Sequence, residues 1–295
     1  MLEMRSSRSI QLSVRGLDYH VRLWGPQAAS PARTLFMLHG WMDVSASFQF
    51  LVDALAADWR VIAPDWRGFG QSAASGADAY WFPDYLGDLD ALLRALLPEA
   101  RVNLLGHSMG GNVAMLYAGI RPGRVASVVN LEGFGLRSTQ PGQAPRRYAH
   151  WLDQLQEPPR MKTYASLAEV AQRLRANNPR LSPGRAEFLA SHWARRVGEA
   201  WEIAADPAHK RSNPVLYRWE EVAACWAAIE APVLWVQASA TDAHAWAGEQ
   251  AEIDARRGVV PRLEAAGVDE AGHMLHHDQP EAVAHLIEAF LARQG

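Results

Sequence analysis

Gly106-His107-Ser108-Met109-Gly110-Gly111 sets one serine among glycines, between an apolar run at 102–105 and a stretch of helical spacing. A serine in that setting sits at the tip of a sharp strand-to-helix turn, where strained backbone pushes its Oγ into the open. Glycines at 106 and 110 remove Cβ atoms that would clash across so tight a turn. The helix that follows aims its N-terminus at the same place and favours negative charge there. A serine hydroxyl is a poor nucleophile until a neighbouring imidazole takes its proton. Of the eleven histidines, His273 has the setting to do so. It lies in Gly272-His273-Met274, after a strand-like run at 262–268 and before a helical C-terminal stretch. A loop at the carboxyl end of one parallel strand can reach a turn at the end of another. His276 and His277 fall toward the helix start and are expected to face solvent or to cap it.

The imidazole needs a carboxylate to fix its tautomer and to stabilise its cation. Asp242, in Ala240-Thr241-Asp242, follows the run 233–236 and completes the order serine, acid, histidine. Glu132 ends the run 125–131, one strand earlier, and keeps the same order. Asp242 is the expected acid. Glu132 is the alternative, its other reading being a buried carboxylate bonded to backbone N–H groups. A tetrahedral oxyanion needs two pre-aimed N–H donors. Met109 would supply one, and Trp41, after the flexible Gly40, the other. His39 reads as a structural hydrogen-bonding residue. The chemistry so assembled is acyl transfer to water, and it requires no metal or organic cofactor.

Short apolar runs at 34–38, 61–63, 102–105, 125–131 and 233–236 have the composition of strands buried on both faces, hence of a parallel sheet covered by helices. Segments with helical spacing lie between them, such as Leu86, Leu89, Leu93 and Leu96, or Val113, Leu116 and Tyr117. That alternation predicts an α/β sheet with right-handed crossovers. Residues 10–14 and 19–24 alternate apolar and polar around Arg15-Gly16, as in an antiparallel hairpin. The pattern breaks after Leu131 and resumes near Pro232. Residues 136–220 carry twelve Arg and two Lys against eight acids, a net of +6, in a chain whose overall net charge is −3. This stretch reads as several helices broken at Pro158-Pro159, Asn178-Pro179, Pro183-Gly184 and Asn213-Pro214. Its tryptophans, Trp151, Trp193, Trp201 and Trp219, are expected to pack against the sheet rather than to line a pocket. Its surplus arginines raise the question of whether an anionic substrate is selected.

The length of 295 residues and the 49% hydrophobic content suit one large domain with an insertion. A net charge of −3 provides no global positive field for nucleic acid or an anionic membrane. One cysteine, Cys225, excludes an intramolecular disulfide and a thiolate metal site. The first sixteen residues lack the apolar stretch of a signal peptide, and no uncharged run approaches the ~20 residues needed to cross a bilayer. The expected location is cytoplasmic, and the expected partner is a small-molecule ester.

The motifs LHGW (38–41), APDWRGFGQS (63–72), LLGHSMGG (104–111) and EAGHMLHHDQP (270–280) are similar to those of the α/β-hydrolase superfamily. The resemblance implies a mostly parallel eight-stranded sheet flanked by helices, with a helical cap inserted after the sixth strand. Residues 1–135 and 221–295 would form the core and residues 136–220 the cap. Within that family Asp65 and Arg67 fall in a structural turn. The usual Gly-x-x-Asp after the acid strand is replaced by Ala238-Ser239-Ala240-Thr241-Asp242, which keeps Glu132 open as the acid. A serine at position 108 argues against the dehalogenase and epoxide-hydrolase branches, whose nucleophile is an aspartate. The resemblance implies a carboxylesterase-like serine hydrolase. Carbon–carbon bond hydrolase, thioesterase, lactonase and cofactor-free perhydrolase are alternatives on the same triad, and a ligand-binding receptor is the alternative of another class.

Overall fold

The computed structural model describes residues 4–294; residues 1–3 of the leader reading and residue 295 of the second core segment lie outside them. The strands are β1 (Ser7–Val14), β2 (Leu17–Trp24), β3 (Thr34–Leu38), β4 (Arg60–Pro64), β5 (Val102–His107) and β6 (Val125–Leu131). They are followed by β7 (Thr163–Tyr164), β8 (Ala194–Val197), β9 (Ala200–Ile203), β10 (Val233–Ala238) and β11 (Leu263–Val268). Eight of them make one sheet in the order β1-β2-β4-β3-β5-β6-β10-β11. Pairing is antiparallel only where β2 meets β1 and β4; the other neighbours run parallel. The hairpin turns at Arg15 and Gly16, both at positive φ, as a two-residue turn matched to strand twist requires.

The central strands are apolar at successive positions because both sheet faces are covered. Phe36 and Leu38, Leu104, Val128, Val233 and Trp235 join one core cluster. Leu35 and Met37, Leu105, Val129, Leu234 and Val236 join the other. The helix Met109–Ile120, which carries the serine at its head, is buried continuously from Gly110 to Ala118. Its far end packs on the helix Trp219–Ala227 so closely that a Cβ at Gly119 would lie 1.8 Å from the carbonyl oxygen of Cys225. Among the described residues no helix is long and apolar enough to cross a membrane.

Between β6 and β10 lie the helices Ala144–Leu155, Leu167–Asn177 and Pro183–Trp193 and, beyond the expected helices, a small antiparallel sheet ordered β7-β9-β8. Its hairpin turns at Gly198, φ +61°, and its strands are only four residues long, too short for a periodicity to stand out. Pro183-Gly184 starts a helix instead of breaking one. Ser182 caps it by accepting the Arg185 N–H, and proline at the first helical positions surrenders no hydrogen bond. This segment has its own core, built on Tyr164, Val170, Leu174, Leu181 and Leu189 with Trp193 and Trp201 packed against it. Its chain returns to the sheet through Gly70 N–H to Ala204 O, 2.7 Å, and Asp206 N–H to Gly68 O, 2.6 Å. The helix Trp219–Ala227 runs across the expected 220/221 boundary and packs with the sheet side of the molecule.

Five of the six buried imidazoles are held neutral by desolvation. His39 and His209 are pushed down to about 4 and His277 to about 3, while His107 and His276 are pushed well below their ordinary value. The Asp43 carboxyl, also buried, is pushed up to about 8.

Gly119→Ala gains up to about 1 kcal/mol of helix propensity but forces two backbones apart, so a net loss of about 2 kcal/mol is expected from urea unfolding. A gain in stability would contradict the packing described. Between pH 6.5 and 4 the unfolded chain binds protons at these histidines that the folded chain refuses, so stability falls as pH falls. Asp43 acts in the opposite sense but is outnumbered. The thermal midpoint should therefore drop by at least about 3 °C per pH unit below 6.5.

Candidate active site

Ser108 joins β5 to the helix Met109–Ile120 with φ 52° and ψ −115°, a conformation L-residues adopt only when their surroundings enforce it. Its own N–H donates to Leu131 O at 2.8 Å, tying the turn to the end of β6. The turn lies almost in contact with the end of β3. A Cβ on Gly110 would stand 2.0 Å from Leu38 O, and one on Gly106 would stand 2.3 Å from Gly110 O. Only glycine permits that approach.

His273 stands on the loop after β11, half-buried, with Nε2 3.0 Å from Ser108 Oγ. Its Nδ1 lies 3.2 Å from Glu132 Oε2. A carboxylate only accepts, so Nδ1 carries the proton and Nε2 presents its lone pair to the serine hydroxyl. Glu132 is 1% exposed and has φ 58°, which turns its side chain across the neighbouring strand. There Oε1 accepts the Ala238 N–H at 2.7 Å, and Oε2 also accepts the Thr241 hydroxyl. Glu132 thus bonds to a backbone N–H and also faces the imidazole.

Asp242, the expected acid, is not beside His273. It is exposed, sits at the start of the short turn Ala243–Ala245, and its carboxylate makes no hydrogen bond among the described residues. The loop after β10 reaches Glu132 through Thr241 instead. Sequence order does not separate the two carboxylates, because both follow Ser108 and precede His273; the left-handed backbone at Glu132 does.

The Trp41 and Met109 N–H groups have no hydrogen-bond partner among the described residues. The loop holding Trp41 lies against the serine, since a Cβ on Gly40 would be 3.3 Å from Ser108 Cβ. His39 fixes this loop. Its Nδ1–H donates to Gly40 O at 2.8 Å and its Nε2 accepts the Trp66 N–H at 2.8 Å. The Gly40 carbonyl and the Trp41 N–H belong to one peptide plane, so His39 sets where that N–H points.

Two features were not legible in the sequence. His107 Nε2–H donates to the backbone carbonyl of His273 at 2.8 Å, bracing the loop that carries the imidazole. His276 and His277, expected at the surface, are 0% and 2% exposed; Ser47 Oγ bonds to His277 Nε2, and the His276 ring lies against those of His107 and Phe48. The helix they start is only four residues long, and it turns inward onto the loop before Phe48. Asp65 and Arg67 are buried in hydrogen-bonded turns. Asp65 accepts the Ser45 N–H at 2.7 Å, and Arg67 Nη2 donates to Asp88 at 2.6 Å.

A cavity of about 570 Å³ opens over Ser108 and His273. Trp41, Trp81, Phe82, Tyr85 and Trp246 supply its apolar lining. None of the tryptophans between 136 and 220 lines it. That segment contributes Leu136, Arg147, His209, Arg211 and Asn213 instead. Both arginines are already engaged, Arg147 with Asn213 O at 2.7 Å and Arg211 with Asp78 at 3.2 Å.

A family profile described as alpha/beta hydrolase fold matches residues 33–280. A serine hydrolase-like protein of Danio rerio is 28% identical over 99% of this chain and 90% of its own length. A 3-hydroxybutyrate-oligomer hydrolase of Cupriavidus necator is 30% identical over 77% of each chain. Among solved structures, a hypothetical protein of Pseudomonas aeruginosa PAO1 superposes with a TM-score of 0.85 at 27% identity, over 97% of this chain and 99% of its own. With its eight-stranded sheet, its serine at the β5 turn and this span of matched residues, the chain belongs to the alpha/beta hydrolase fold family.

Proposed function

We propose that the protein is a serine hydrolase that cleaves carboxylic esters through an acyl-enzyme on Ser108. The observation that carries this reading is the continuous line from Ser108 Oγ to His273 Nε2, 3.0 Å, and from His273 Nδ1 to Glu132 Oε2, 3.2 Å, at the floor of a substrate-sized cavity. Relatives described as serine hydrolase-like and as an oligomer hydrolase support the reaction class.

Ser108 Oγ attacks the ester carbonyl while His273 Nε2 takes the hydroxyl proton. Glu132, in place of Asp242, holds the Nδ1–H tautomer and stabilises the imidazolium. The Trp41 and Met109 N–H groups receive the oxyanion, each donor being worth about 3–4 kcal/mol at the transition state. His273 then protonates the leaving alcohol, and water, activated by the same imidazole, releases the acid. Residues 136–220 act as the cap over the cavity. The aromatic walls favour an apolar acyl or alcohol group, since each buried ring contributes area without a conformational penalty of similar size. Arg211 is paired with Asp78, whereas Arg147 bonds a neutral carbonyl through Nε and keeps its charge uncompensated in the cavity wall.

Ser108→Ala should lower kcat on p-nitrophenyl acyl esters by at least about 10³-fold with unchanged thermal unfolding. Glu132→Gln should lower kcat by about 10²–10⁴-fold, whereas Asp242→Asn should stay within about twofold of wild type. The reverse ranking would return the acid to Asp242. A fluorophosphonate probe should label Ser108 within minutes, read as one adduct by mass spectrometry; tight ligand binding without an adduct would point to a receptor.

A further inference from the structure

Next to the proposed triad lies a second cluster that hydrolysis does not use. Asp43 follows the Trp41 loop, His107 ends β5, and His276 belongs to the short helix Leu275–Asp278. They are 2%, 2% and 0% exposed, and one ligand atom from each lies within 4.8 Å of the others. Every one of the three has an unpartnered atom: Asp43 Oδ2, His107 Nδ1 and His276 Nδ1. The remaining polar atoms of these side chains are engaged. Asp43 Oδ1 accepts the Val44 N–H at 2.7 Å, and His276 Nε2 faces Ser47 Oγ at 3.4 Å. His107 Nε2 meets the His273 carbonyl, which can only accept, so the His107 proton is on Nε2 and its Nδ1 holds a bare lone pair.

A buried polar atom left without a partner costs about 1–3 kcal/mol, and each of these three clustered side chains carries one. Asp43, His107 with its bare Nδ1 lone pair, and His276 thus bring one unpartnered buried atom each to a cluster whose ligand atoms span no more than 4.8 Å. Two imidazole nitrogens and one carboxylate oxygen are a donor set that suits Zn²⁺ and its neighbours in the transition series rather than Mg²⁺ or Ca²⁺. Bonds of about 2.0–2.2 Å would draw the three atoms closer than the 4.8 Å limit, by movements of about 1 Å that side-chain rotation supplies. The His107–Nε2–H to His273–O contact is the outer support such a ligand usually has.

We propose that Asp43, His107 and His276 form a site for one divalent transition-metal ion of the Zn²⁺ class, and that the ion slows turnover. The second half rests on the Ser108–His273 reading. The His107 and His273 ring centroids are 4.8 Å apart, so a cation on His107 opposes the positive charge His273 must acquire when it takes the serine proton. The ion is not needed for hydrolysis; it restrains it.

The test uses chelator-treated full-length protein titrated with Co²⁺, whose visible absorption reports tetrahedral nitrogen and oxygen ligation. One Co²⁺ per chain is expected, with binding weakened at least about tenfold in both Asp43→Asn and His276→Phe. His276 packs among the rings of Phe48, His107 and His277, which a phenylalanine can join, and far-ultraviolet circular dichroism checks that each variant is folded. Zn²⁺ should reduce wild-type ester turnover at least about tenfold and leave His276→Phe close to its metal-free rate. Absence of the Co²⁺ band in wild type, or an equal band in both variants, overturns the site. Equal Zn²⁺ inhibition of wild type and His276→Phe overturns the coupling to His273. Because the Co²⁺ band is read without substrate, a protein inactive on esters would sink the hydrolase reading and still test the site.

Discussion

The close approach of the Ser108 turn to the end of β3 is the constraint on which the rest of the site depends. Two backbones meet there with space for hydrogen atoms only, and the Ser108 N–H is spent on Leu131 O. The price of that contact is a serine in a backbone region of positive φ, held because the sheet on one side and a helix buried from Gly110 to Ala118 on the other leave it nowhere to relax. In return Oγ, the Trp41 loop and the helix N-terminus are brought to one point. Rigid packing, more than the serine's own chemistry, is what sets this geometry.

Around that point the molecule uses neutral imidazoles as struts. His39 spans Gly40 O and Trp66 N–H, His107 supports the His273 carbonyl, and His209 is stacked between Phe69 and Tyr80 at 3.8 and 3.9 Å while bonding to Arg67 O. An imidazole can donate from one edge and accept at the other while its faces pack against aromatic rings. Lysine or arginine could not do this buried without a counter-charge. Burial keeps these rings uncharged at neutral pH.

Much of this was legible in the residues themselves. Buried parallel strands announce themselves as unbroken apolar runs, and a serine among glycines after such a run has few structural explanations. His273 followed from its place after a strand. What escaped were properties that depend on side-chain reach and burial. Asp242 and Glu132 have equal claims by chain order, and the choice turned on a left-handed residue at the end of β6. His276 and His277 look like helix-start histidines until the four-residue helix is seen to fold inward. The hairpin at 194–203 is too short to impose a period, and Pro183 has the composition of a breaker while serving as a first helical residue.

The carboxylate's position on β6 has a consequence for the strand beside it. With Glu132 facing His273, the loop after β10 meets that carboxylate through the Thr241 hydroxyl, and its backbone is tied to the β11 side by Ser239 N–H to Val268 O and Ala240 N–H to Ala271 O. A few residues on, the same loop lays the edge of Trp246 against the His273 ring, centroids 4.8 Å apart, and into the wall of the cavity. Under the proposed reaction, proton transfer would fall to Glu132 and His273 while Trp246 shapes the cavity wall, so substitution at Trp246 would retune which molecules fit and leave the Glu132–Thr241 contact in place.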